Sequence, residues 1–182
     1  MNTDFSMKKF IGFSLIIGFF MIPIHELGHV IFQFISGNPA WMTYAEEIPL
    51  TGYVDTPLGT LGGPLFSVLL AFLSVFFLYK KKYTEFFIPI ALIGSIGRFP
   101  LYLLGAGGDE GILEQYLNWP KNTIVFIFVG LGLLIFILSI YFISKIFESK
   151  KQRFIVCFIP FPLYFILGIF GLFVIEPVLQ NL

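Results

Sequence analysis

An all-α integral membrane protein is the fold class predicted here, with about five transmembrane helices and a hairpin or re-entrant loop after the first. Three observations predict it. Hydrophobic residues make up 57% of the 182-residue chain and charged residues only 12%, with a mean hydropathy of +0.91. A soluble domain of this length has too much surface to cover with so few charges. The apolar residues are also gathered into stretches near the roughly 20 residues that a helix needs to cross a hydrocarbon core. Finally, the basic residues fall almost entirely in the connections.

Five stretches qualify as spans: Phe10–Phe34, Leu61–Tyr79, Phe86–Leu104, Thr123–Phe147 and Phe154–Ile175. The first follows Lys8 and Lys9 as a signal peptide would, but it has no small-residue cleavage site, so the expectation is a retained span. Between the first two spans, "SGNPAWMTYAEEIPLTGYVDTPLGT" is rich in Gly, Pro and Thr and reads as a loop, hairpin or re-entrant segment. Between the third and fourth, "GAGGDEGILEQYLNWPKN" has room for one short helix. No internal repeat or linker divides the chain, so residues 1–182 read as one membrane-embedded domain. Its motif-bearing core is about 21–111, and 123–175 supplies two further spans.

Orientation follows from the lysines. Lys8, Lys9, Lys80, Lys81, Lys82, Lys145, Lys150, Lys151 and Arg153 share one side of a five-span arrangement, and Lys121 alone falls on the other. The N-terminus is therefore expected in the cytoplasm and the C-terminus outside, in a multi-pass protein of the cell membrane. Formal net charge is zero, so nothing suggests a nucleic-acid partner; the lipid bilayer is the partner that composition implies. The one cysteine, Cys157, excludes a disulfide within the chain.

The chemistry lies in "MIPIHELGHVIF", Met21 to Phe32, which contains both histidines of the chain. Residues four apart share a helical face, so His25 and His29 can offer two imidazoles to one metal ion. Glu26 then stands beside the ion, placed to take a proton from water and pass it to a leaving amine. The competing account is a polar helix–helix contact. Against it, ionisable groups at mid-bilayer cost about 2.5–3.5 kcal/mol and persist there mainly with a partner or a task. Zinc at a catalytic site takes three protein ligands plus water. With no third histidine, the candidates are carboxylates on the same side. Asp109 in "GAGGDEG" fits best, because the glycines allow the chain to turn back toward the interior. Its other reading is an N-cap for "EGILEQYL". Asp55 and then Glu110 follow as alternatives.

"HELGH" in a span, "GGPLFSVLLA" opening the next, and a Gly-rich Asp motif some eighty residues later resemble the site-2 protease family of intramembrane zinc metallopeptidases. The resemblance covers about Met21 to Gly111. It implies His25, His29 and Asp109 as zinc ligands and Glu26 as the catalytic base. Gly63 to Ser67 is similar to the family's G-x-x-x-(N/S/G) pattern on the span packed against the site. The implied activity is that of a zinc metalloendopeptidase acting on a membrane protein or membrane-borne peptide. The chain departs from the family in two ways. Its approach, "GRFPLYLLGAGGDEG", places Glu110 between the aspartate and the glycine, which leaves the third ligand between Asp109 and Glu110. Lysine counting also puts the site nearer the outside, where well-known members have it nearer the cytosol. No PDZ- or CBS-like segment is recognised, so a minimal catalytic core is expected.

Other residues have plainer roles. Arg98, the one basic residue inside a span, is read as half of an ion pair, with oxyanion stabilisation as the sharper alternative. Pro23 removes a backbone donor two residues before His25. Gly28 and Gly63 allow close helix approach, and the 25 phenylalanines are lipid-facing bulk. The loop after the first span is expected to hold an unwound substrate strand by β-addition. The alternatives to a protease are a zinc hydrolase of another membrane-borne substrate and a non-catalytic zinc-binding structural membrane protein.

Overall fold

The computed structural model describes residues 5–50, 52–97, 99 and 108–180. Among these, the elements in chain order are α1 (Met7–Ile35), β1 (Ala40–Met42), β2 (Glu47–Pro49), α2 (Pro57–Tyr79), α3 (Thr84–Ile96), α4 (Gly108–Leu117), α5 (Thr123–Ile146), α6 (Lys150–Phe158), α7 (Pro160–Phe170), a π-helical turn (Gly171–Ile175) and α8 (Glu176–Leu179). The protein is an all-α membrane protein, and among the described residues its one sheet is a short two-stranded ribbon.

Among the described residues four helical stretches are long and apolar enough to cross a membrane: Met7–Ile35, Pro57–Tyr79, Thr123–Ile146 and Lys150–Leu179. The last runs through α6, α7, the π turn and α8 with Ile159, Phe170 and Ile175 all in right-handed helical conformation. Of the expected third span, the described part is α3, whose 13 residues rise roughly 20 Å. Residues 98 and 100–104 of that span lie outside the described residues. Of the most apolar window of α5 only 22% is buried, so most of its surface is left for lipid.

The chain packs as two compact units. One comprises Met1–Met21, Val68–Gly97 and Leu131–Gly168. Its core is built by Phe10, Val75, Leu78, Ile88, Leu92, Ile143 and Phe147, with Phe77 and Phe87 stacked at 4.1 Å. Ser14, Ser74 and Ser139 are buried there, and each hydroxyl donates to the carbonyl four residues earlier, so no polar hydrogen of theirs faces hydrocarbon. Cys157 packs against this core. The other unit comprises Ile22–Ser67, Arg98–Gly130 and Ile169–Leu182 and contains every residue of the candidate site.

In that second unit the segment ends are organised by polar side chains. Thr56 caps α2, its Oγ1 accepting from Gly59 N–H at 3.0 Å, and it donates to Gln33 Oε1 at 2.9 Å. Gln33, fully buried on α1, also donates to Asp55 Oδ1 at 3.1 Å, which ties the end of α1 to the start of α2. Glu114 on α4 caps α5. Its carboxylate accepts from Asn122 and Ile124 N–H, both at 2.7 Å, at the positive end of the helix dipole.

Candidate metal centre

The site is built on a close approach of α1 to α2. Gly28 and Gly62 face each other, and a Cβ on Gly28 would lie 2.6 Å from Gly62 O and 2.7 Å from Phe66 Cβ. Glycine at both positions lets the two backbones approach. Beside this crossing, His25 and His29 lie against Gly63, where a Cβ would overlap the Nε2 atoms of both rings. Gly63 therefore does more than allow helix packing: its missing side chain is the space the imidazoles occupy.

Asp109 reaches the same point from the first turn of α4. Its Oδ2 lies 3.0 Å from His25 Nε2 and 3.4 Å from His29 Nε2, and the two Nε2 atoms are 3.2 Å apart. A tetrahedral ion with bonds of about 2.0–2.1 Å needs donor atoms about 3.3 Å from one another. The three donors thus already stand at separations suited to one small divalent cation. Gly108, at φ +47, supplies the left-handed backbone that starts α4 here. Among the described residues the ligand group is His25, His29 and Asp109. Glu110 is buried, 1% exposed, and is not in the group. Asp55 is held by Gln33. Arg98 lies outside the described residues.

The outer faces of the imidazoles are also engaged. Gly59 O can only accept, so His29 Nδ1 carries the proton and donates to it at 2.8 Å, the shorter of two contacts there (Gly63 N–H approaches the same atom at 3.4 Å), which leaves Nε2 with its lone pair toward the centre. His25 Nδ1 lies 3.1 Å from Ser67 Oγ. Ser67 is one turn beyond Gly63, so Gly63 and Ser67 act from a single face of α2.

A cavity of about 270 Å³ opens at this group, lined by Glu26, His29, Asp109, Ala45, Glu46, Glu47, Asp55, Thr60 and Ile112. Glu26, expected as the base, therefore shares the cavity with two of the three donors. Among the described lining residues Glu26, Glu46, Glu47, Asp55 and Asp109 are acidic and none is lysine or arginine, a lining that favours a cation. Burial, and then the neighbouring Asp55, push the Glu47 carboxyl above its usual range. A larger depression of about 580 Å³ between α4 and the start of α5 contains none of these residues.

Three contributors escaped the sequence reading. Gln33 continues the helical series His25, His29, Gln33 at steps of four, a signal that was available. Glu47 and the Gly59 carbonyl gave none, because nothing local marks a hairpin carboxylate or one backbone oxygen as facing a site.

Compared with known proteins, the chain matches no family model, no curated protein and no solved structure.

Proposed function

We propose that the protein is an intramembrane zinc metalloprotease that hydrolyses a peptide bond in or near a transmembrane segment. One observation carries the reading. Two ring nitrogens and a carboxylate oxygen converge within 3.0–3.4 Å, two of these donors share a cavity with Glu26, and both histidines belong to a helix long and apolar enough to span a bilayer. Nitrogen and carboxylate donors suit zinc, and three protein donors leave a position open, as catalytic sites have. A closed structural site uses four, usually rich in cysteine, and among the described residues the ligand group holds no cysteine.

His25, His29 and Asp109 would hold the ion. When bound, zinc acidifies water and polarises a carbonyl oxygen. The chain's own residues supply the rest. Glu26 takes the proton of the attacking water on its carboxylate and delivers it to the departing amide nitrogen. Gly59 O holds the proton on His29 Nδ1, and Ser67 fixes the rotation of His25, so both Nε2 atoms stay aimed at the centre. The substrate is a locally unwound membrane segment, since an intact helix keeps its carbonyls hydrogen-bonded. With the lysine-poor side of the chain outside, the site faces the outer half of the bilayer.

Glu26→Gln tests this. The variant is expected to retain zinc while cleavage of a membrane-borne peptide falls by about 10²–10⁴-fold, the usual contribution of a general base. Wild-type cleavage by Glu26→Gln, or purified protein without zinc, overturns the proposal.

A further inference from the structure

Sequence distance hides a clamp on the site. The turn joining β1 to β2 is gripped by α8, more than 130 residues later. Thr43 Oγ1 donates to Glu176 Oε1 at 2.5 Å, and Ala45 N–H donates to Glu176 Oε2 at 2.9 Å, so both carboxylate oxygens hold the turn. Gln180 Nε2 bridges Glu46 Oε2 at 3.2 Å and Glu176 Oε1 at 3.0 Å. Tyr44, 3% exposed, seats its ring against Gly171, where a Cβ would overlap it. Gly171 opens the π-helical turn, and such turns recur at functional sites.

The held turn is part of the cavity wall: Ala45, Glu46 and Glu47 line it together with Glu26, His29 and Asp109. The remaining described lining residues, Asp55, Thr60 and Ile112, sit on α4 or at and just before the start of α2. The hairpin is different in kind. It has three residues per strand, paired with each other as Ala40↔Pro49, Trp41↔Ile48 and Met42↔Glu47. A lone two-stranded hairpin is marginally stable at best. Its place over the cavity is therefore set by tertiary contacts: the two Glu176 bonds, Gln180 on Glu46, the Tyr44 ring on Gly171 and Gln33 on Glu47. As it stands the cavity, about 270 Å³, is smaller than the roughly 300–1,000 Å³ typical of small-molecule sites. Among the described walls the hairpin is the one that can yield without unpacking a helix.

We infer that the Ala40–Pro49 hairpin is a lid on the metal cavity and that Glu176 is the positioning residue that latches it in place. The inference rests on the metal-site reading for the lid's purpose, not for the latch itself. Release of Thr43 and Ala45 from the carboxylate opens the cavity; their recapture closes it around a bound segment.

The test uses the whole 182-residue chain carrying Cys157→Ser. Glu46→Cys and Gln180→Cys, whose native side chains are hydrogen-bonded to each other, are joined by a short bis-methanethiosulfonate and freed with reductant. Loaded with zinc, the joined form should lose the ion to excess EDTA at least about tenfold more slowly than the same protein after reduction. Glu176→Ala should lose it at least about tenfold faster than the parent. A merely structural Glu176 lowers the melting temperature yet leaves joined and reduced forms exchanging alike, and equal rates overturn the latch. Amide hydrogen exchange over residues 40–49 needs no metal. Faster exchange there in Glu176→Ala, with α2 unchanged, supports the latch even if zinc fails to bind; unchanged exchange overturns it.

Discussion

Gly63→Ala isolates the geometry of the centre from everything else in the chain. Gly63 sits inside α2 with no left-handed φ, so the backbone accepts alanine. The new methyl, however, would lie 2.6 Å from His25 Nε2 and closer still to His29 Nε2. Ordinary contact begins at 3.4 Å, so the His25 nitrogen alone must retreat by about 0.8 Å. Metal–ligand distances hold within about 0.2 Å, so that retreat breaks the coordination distance. Disturbing the groups behind the ligands already costs about 10–100-fold in affinity. Displacing two ligand nitrogens should cost more than about 100-fold. The assay is zinc content of purified protein, with affinity read by competition against a chelator of known strength. Gly130→Ala is the control. It lies in α5 with nothing within 4 Å of its would-be Cβ, and should leave zinc unchanged while adding up to about 1 kcal/mol of helix stability. Zinc bound by Gly63→Ala with parental affinity would refute the reasoning.

Further outcomes follow from the same contacts. Ser67→Ala removes the partner of His25 Nδ1 and should weaken zinc binding about 10–100-fold with little change in melting temperature; an unaltered dissociation constant would show that the serine plays no part. Glu114→Ala strips the N-terminus of α5 of its buried acceptor and should destabilise the protein by about 1–3 kcal/mol, read as thermal unfolding in detergent, with no loss expected if Asn122 and Ile124 find water instead. Glu47→Gln should change stability with pH. The folded carboxyl ionises above its unfolded value near 4.5, so the folded state holds more protons in that interval and wild-type stability falls as pH rises through it. The variant should match wild type below pH 4.5 and exceed it progressively above, and a melting-temperature difference independent of pH would contradict this.

Helical periodicity alone was enough to pair the histidines. Steps of four on a helix share a face whatever surrounds it, and an apolar stretch of span length has few structures open to it other than a helix. The hairpin was foreshadowed by Gly, Pro and β-forming residues, and the short helix carrying Asp109 by its place after the glycines. These are local properties, set by backbone geometry and by what a bilayer tolerates. The role of Gly63 was not local: its reading as a packing glycine missed that the absent Cβ is filled by ring nitrogens of another helix. The choice between Asp109 and Glu110 was not local either. Adjacent residues on a helix point about 100° apart, so one of the two reaches the imidazoles and the other is buried elsewhere. Glu176 gripping Thr43 lay furthest from view. A contact spanning more than 130 residues depends on how distant segments come together, and no pattern within either segment specifies it.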